Sequence, residues 1–93
     1  MYVQLSIHRP REGKKHLVVD SMHRFQNSIK GKPGLISATT YKDRKTGRLV
    51  GIAVWDSQDS MIAARPAMVE STKNDRFEEW EESEMETFQL DES

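Results

Sequence analysis

"RLVGIAVWDS", residues 48–57, decides the fold. It carries apolar side chains at nearly every position and closes on Trp55, so it reads as a strand over 49–56. Side chains alternate across a strand. Val50, Ile52 and Val54 therefore share one face, and Leu49, Gly51, Ala53 and Trp55 share the other.

Upstream, "DRKTGR" (43–48) reads as a hairpin connection, with Gly47 free to take a positive φ. "LISATTYK" (35–42), β-branched and aromatic, reads as the partner strand. Pro33-Gly34 sets it off from a helix over 14–31, where Leu17, Val18, Met22, Phe25 and Ile29 recur at three- and four-residue steps. Gly31 is placed to end that helix in a left-handed conformation. Before it, "YVQLSIHR" (2–9) alternates strictly, with Val3, Leu5 and Ile7 against Tyr2, Gln4, Ser6 and His8.

Downstream, Ser57 or Asp59 is a candidate cap for a second helix. Pro66 lacks an N–H and clashes with the preceding turn, so a break is expected there, with a fresh helical turn beginning near it. A short helix over 75–82, with Phe77 and Trp80 three apart, and a last strand over 84–91 complete the chain.

The order is β-α-β-β-α-β. With right-handed crossovers this is the ferredoxin-like α+β arrangement: an antiparallel sheet with helices on one face, in a single domain over 1–93. The β-branched face of residues 50, 52 and 54 is expected against the helices. That would turn Trp55, and with it Tyr2, Gln4, Ser6 and His8, toward the open face. An apolar open face needs cover.

Composition narrows the function classes. The chain has 93 residues and no cysteine, which excludes disulfides and thiolate metal sites. A domain this small has a modest core, so self-association is the expected aid. His8, His16 and His23 form no zinc pattern, and no metal site is expected. No segment is long and apolar enough to span a membrane, and the N-terminus lacks a signal-peptide pattern; a cytoplasmic protein without membrane contact is expected. Residues 1–48 hold 11 Lys and Arg against 3 Asp and Glu, while residues 49–93 hold 3 against 12. The two halves interleave in one fold, so the fields largely cancel. No nucleic-acid motif accompanies the basic half, and no nucleic-acid partner is expected. Nor is there a phosphate loop, a nucleophile elbow or a carboxylate pair.

The run from "GKPGLIS" through "YKDRKTGRLVGIAVWDS" resembles the antibiotic-biosynthesis monooxygenase-like family of dimeric α+β barrels. The shared pattern is a helix ending before "PG", a strand, a basic loop, and a strand closing in Trp plus an acidic residue. The resemblance implies a homodimer packed through its open sheet faces. It also implies oxidation of a small electron-rich aromatic, polyphenol-like compound without a cofactor, in which a base and a dry pocket suffice. His8, Trp55, Tyr41 and Arg65 are the candidate catalytic residues on this basis. Gln4, Ser6, Phe77 and Trp80 are candidate ligand contacts. A heme-degrading branch of the same fold uses an Asn on the first strand and a His in the second helical region. Here Gln4 and Ser6 stand on that strand and no His follows His23, which speaks against heme degradation.

Bland readings stand beside these. Trp55 either anchors an interface or lines a cavity. The polar face of the first strand either satisfies itself across a dimer or surrounds a ligand. Phe77 and Trp80 either plug a gap or cover a ligand. The Glu run over 78–86 reads as a solvated face. The alternative to an enzyme is a non-catalytic small-ligand-binding or protein-interaction module of the same dimeric fold.

Overall fold

Strands β1 (Tyr2–His8), β2 (Leu35–Lys42), β3 (Leu49–Trp55) and β4 (Glu86–Asp91) form one antiparallel sheet in the order β2-β3-β1-β4. Helices α1 (Lys15–Ile29) and α2 (Gln58–Thr72) and the single turn α3 (Phe77–Trp80) complete the fold of this computed structural model, which describes all 93 residues. This is the ferredoxin-like βαββαβ topology, with β2 and β4 at the edges.

Register sorts the side chains into two faces. Tyr2 pairs with Trp55, Gln4 with Ala53, Ser6 with Gly51 and His8 with Leu49. On β4, Gln89 lies opposite Gln4 and Thr87 opposite Ser6. Burial shows that this is the face under the helices: Tyr2, His8, Leu49, Ala53 and Trp55 are all buried. The other face, with Val3, Leu5, Ile7, Val50, Ile52 and Val54, is only half-buried. The expected orientation is thus inverted. The β-branched residues form the outer face, and the polar set of β1 points inward. Alternation says that two faces differ, and it does not say which one the helices cover.

α1 buries Val18, Met22 and Ile29 and ends at Gly31, whose φ is +79°. α2 starts at Ser57, whose Oγ accepts from Ser60 N at 3.2 Å. It runs unbroken through Pro66, against the expected break. Pro66 is exposed, and Met61, Ala64 and Met68 pack inward on both sides of it. That burial holds the helix despite the lost bond to the preceding turn. No helix is long and apolar enough to cross a membrane.

The inner face carries two apolar clusters. Tyr2, Ile29, Ala53, Trp55, Met61, Ala64 and Met68 form one, near the start of β1. Val18, Met22 and Leu49 form the other, near its end. Between them the sheet presents Gln4, Ser6, Gly51 and Thr40, which are small or polar, and the helices bridge over them without filling the space.

Candidate functional site

That unfilled space is a cavity of about 300 Å³ between sheet and helices. This is the lower end of the range for small-ligand pockets. β1 supplies Gln4, Ser6 and His8, α1 supplies Met22 and Phe25, and α3 supplies Phe77. Gly51 forms part of the floor, and a Cβ there would meet Ser6 Oγ at 2.9 Å.

The chemistry gathers at His8. Its Nδ1 lies 3.0 Å from Glu81 Oε2 and its Nε2 lies 3.0 Å from Ser6 Oγ. His8 is 4% exposed and Glu81 is 2% exposed. An ionised carboxylate only accepts, so Nδ1 carries the proton given to Glu81. With the ring neutral, Nε2 then accepts from the Ser6 hydroxyl. The second Glu81 oxygen accepts the Arg9 N–H at 3.2 Å. A buried carboxylate needs such partners to offset its lost hydration.

Local backbone pairing puts Glu81 there. Arg11 N–H donates to the Trp80 carbonyl, and Glu82 N–H donates to the Arg9 carbonyl, each at 2.8 Å. Pro10 and Glu81 form an isolated antiparallel bridge. The residue after α3 is thereby clamped beside the end of β1, and its side chain turns under the sheet to the imidazole.

At the other end, two amides are oriented by aromatic donors. Trp55 Nε1–H donates to Gln4 Oε1 at 2.9 Å, leaving the Gln4 NH₂ only a weak contact with Met68 Sδ at 3.9 Å. Tyr2 O–H donates to Gln89 Oε1 at 2.6 Å, so the Gln89 NH₂ remains free to donate. Burial pushes the Tyr2 hydroxyl's pKa above its ordinary 10.0, with the Arg65 charge opposing and Asp91 adding to the rise. The hydroxyl therefore stays a donor at neutral pH.

Among the sequence candidates, Gln4, Ser6, His8 and Phe77 converge on the cavity. Trp55 is fully buried in the core behind it and acts on it through Gln4. Trp80 packs against the Val18–Met22–Leu49 cluster and meets Phe77 edge-on at 5.9 Å between ring centroids. Tyr41 stands 53% exposed on the outer face, opposite Val50. Arg65 lies exposed on α2 with its Nη2 3.8 Å from Met61 Sδ, outside the cavity lining. His16 and His23 are exposed on α1. No group of three His, Asp or Glu side chains is placed to hold a metal ion.

Glu81 and Gln89 are the site residues that sequence reasoning missed. Glu81 sits in the acidic run read as a solvated face. Its one signal is adjacency to Trp80, which places it at the inner end of the Phe77–Trp80 turn.

No protein-family model matches this sequence, and no curated protein matches it. Solved structures do. Rv0793 from Mycobacterium tuberculosis superposes with a TM-score of 0.84 at 14% identity, covering 99% of this chain and 94% of that one. An antibiotic biosynthesis monooxygenase superposes with a TM-score of 0.78 at 10% identity, covering 100% and 99%. A conserved protein from Methanosarcina mazei gives 0.82 at 11% identity, covering 100% and 94%. The likeness read from the "PG" and "VWDS" motifs thus holds for the fold along the whole chain.

Proposed function

We propose that this cavity binds a small, electron-rich phenolic compound and lets it react with dioxygen without a cofactor. The observation that carries the proposal is a buried imidazole, backed by a carboxylate, at the edge of a cavity walled by Phe25 and Phe77. The fold shared with an antibiotic biosynthesis monooxygenase supports it.

His8 Nε2 takes the phenol proton, directly or through the Ser6 hydroxyl, and Glu81 stabilises the imidazolium. The electron-rich anion passes an electron to dioxygen, and the pair recombines at carbon. A CH₂ between phenolic rings then becomes C=O, and the second oxygen leaves as water with the two substrate hydrogens. The Gln4 and Gln89 NH₂ groups hold the anionic oxygen. Phe25 and Phe77 hold the ring and exclude water.

Two copies would pair through the outer sheet face. Val3, Leu5, Ile7, Val50, Ile52 and Val54, with Phe88 and Leu90 at 44% and 43% exposure, make an apolar surface of the kind that a partner covers. A second sheet of the same shape meets that need and gives a homodimeric barrel.

Oxygen uptake with a panel of hydroxylated anthrones, which carry such a CH₂ between phenolic rings, tests the reading. The expected product has gained one oxygen and lost two hydrogens, and His8→Ala lowers turnover by roughly 10²–10⁴-fold. Tight binding of a panel compound with no oxygen uptake would instead favour the non-catalytic ligand-binding module.

A further inference from the structure

We propose that Ser6 is a nucleophile, and that the chain Ser6–His8–Glu81 gives the cavity a hydrolytic activity toward small aryl esters. The inference rests on the hydrogen-bond chain and not on the oxygen chemistry above.

Activation of a serine needs a base on its hydroxyl and a third group that orients the base. Ser6 Oγ lies 3.0 Å from His8 Nε2, and His8 Nδ1 lies 3.0 Å from Glu81 Oε2. Order, atoms and distances are those of a hydroxyl–imidazole–carboxylate triad, which is recognised by geometry and not by sequence spacing. The Ser6 hydroxyl has no hydrogen-bond partner besides His8. Glu81 is itself held by the Arg9 N–H, so the orienting group is fixed. Ser6 and His8 both line the cavity, so a carbonyl carbon can approach the hydroxyl.

The cavity sets the substrate class. Phe25 and Phe77 suit an aromatic ring, and about 300 Å³ limits the ester to a small one. A phenol is also a weakly basic leaving group, which a triad in a small pocket can expel.

In the first step the Ser6 Oγ–carbon bond forms as the hydroxyl proton passes to His8 Nε2. The carbonyl π pair moves onto oxygen, where the Gln4 and Gln89 NH₂ groups and the Thr87 hydroxyl, opposite Ser6, are the available donors. The tetrahedral adduct collapses and breaks the carbon–aryloxide bond. The aryloxide takes the proton from His8 and leaves as a phenol. Water then gives a proton to His8 Nε2 and attacks the acyl carbon. Ser6 Oγ leaves, recovers that proton, and a carboxylic acid is released. No oxidant enters, so the step proceeds without dioxygen.

A fluorophosphonate probe, followed by intact mass and peptide mapping, tests the nucleophile. The expected result is one adduct on Ser6 in the folded wild type and none in Ser6→Ala. Glu81→Gln, matched to wild type by circular dichroism, should slow labelling on the order of 10²-fold or more. If Ser6→Ala does not fold, Ser6→Cys serves: its alkylation by iodoacetamide should slow when Glu81→Gln is added. Under anaerobic conditions 4-nitrophenyl acetate should turn over saturably in wild type and at the buffer rate in Ser6→Ala. An unlabelled Ser6, an adduct elsewhere, or hydrolysis retained without the Ser6 hydroxyl would overturn the proposal. Because the assay excludes dioxygen, its failure leaves the oxygenase reading to its own test.

Discussion

The two faces of the sheet differ in kind. The outer face is built from Val3, Leu5, Ile7, Val50, Ile52 and Val54, uniform and shape-persistent because β-branched side chains dominate it. The inner face mixes aromatic, amide, hydroxyl, imidazole and glycine along the same two strands. Its ends are packed by Trp55 and Leu49, and its middle is left open. A face proposed only to pack against a second sheet can be uniform. A face that has to leave a cavity and line it with donors and acceptors cannot, and each of its polar groups must find a partner. Here those partners are within the chain: Gln4 with Trp55, Tyr2 with Gln89, and His8 with Ser6 and Glu81.

The largest effect should come from breaking the outer face. Val54→Asp places a charge on the outer face, the surface proposed for self-association. Buried in a dimer, that carboxylate would lack any partner and cost several kcal/mol, on the order of 3–5, at each copy. Light scattering should show the wild type as a dimer at micromolar concentration and this variant as a monomer with unchanged far-ultraviolet circular dichroism. A wild type that stays monomeric would remove the reason for an apolar outer face and with it the homodimer.

The strands, α1 and the hairpin were legible because each follows a local rule: alternation for β1, a helical stripe ended by Gly31, and a turn glycine at position 47. The choice of face was not, because it depends on which side the crossover helices pack. The β-branched side of residues 50, 52 and 54 is the one expected against the helices. In this fold it is left outside. At the site, His8, Ser6, Gln4 and Phe77 could be picked out by residue type. Glu81 could not, since its burial comes from pairing between residues 9–11 and 80–82, far apart in the chain. Pro66 taught the reverse lesson: a strong local rule yielded to burial of Met61, Ala64 and Met68.

Trp55 sharpens the comparison from the inner side. It is fully buried among Tyr2, Ile29, Ala53, Met61, Ala64 and Met68. Trp55→Ala should lower the unfolding free energy by about 3–5 kcal/mol, measured by urea titration. Leu90→Ala on the outer face, at 43% exposure, should leave the monomer's unfolding within about 0.5 kcal/mol and weaken association instead. Trp55→Phe separates bulk from hydrogen bonding. It keeps most of the packing and loses about 1 kcal/mol with the bond to Gln4. If both faces respond alike to truncation, the division of labour between them is wrong.

The smallest effect distinguishes the faces by ionisation. The chain has two tyrosines, and the sheet puts one on each face: Tyr2 inside at 3% exposure and Tyr41 outside at 53%. Burial raises the Tyr2 pKa above 10.0, although the Arg65 charge partly opposes it. The folded state therefore resists ionisation that the unfolded chain accepts. The neutral hydroxyl's contribution to stability is full below pH 10.0 and fades as pH climbs through the raised folded value. Tyr41→Phe leaves Tyr2 as the one tyrosine, so tyrosinate absorbance then reports it alone. Its midpoint should lie above 10.0 in the folded protein and fall back toward it in denaturant. A folded midpoint at or below that value would mean that Tyr2 is hydrated, that its bond to Gln89 is loose, and that the inner face is wetter at this end than its packing requires.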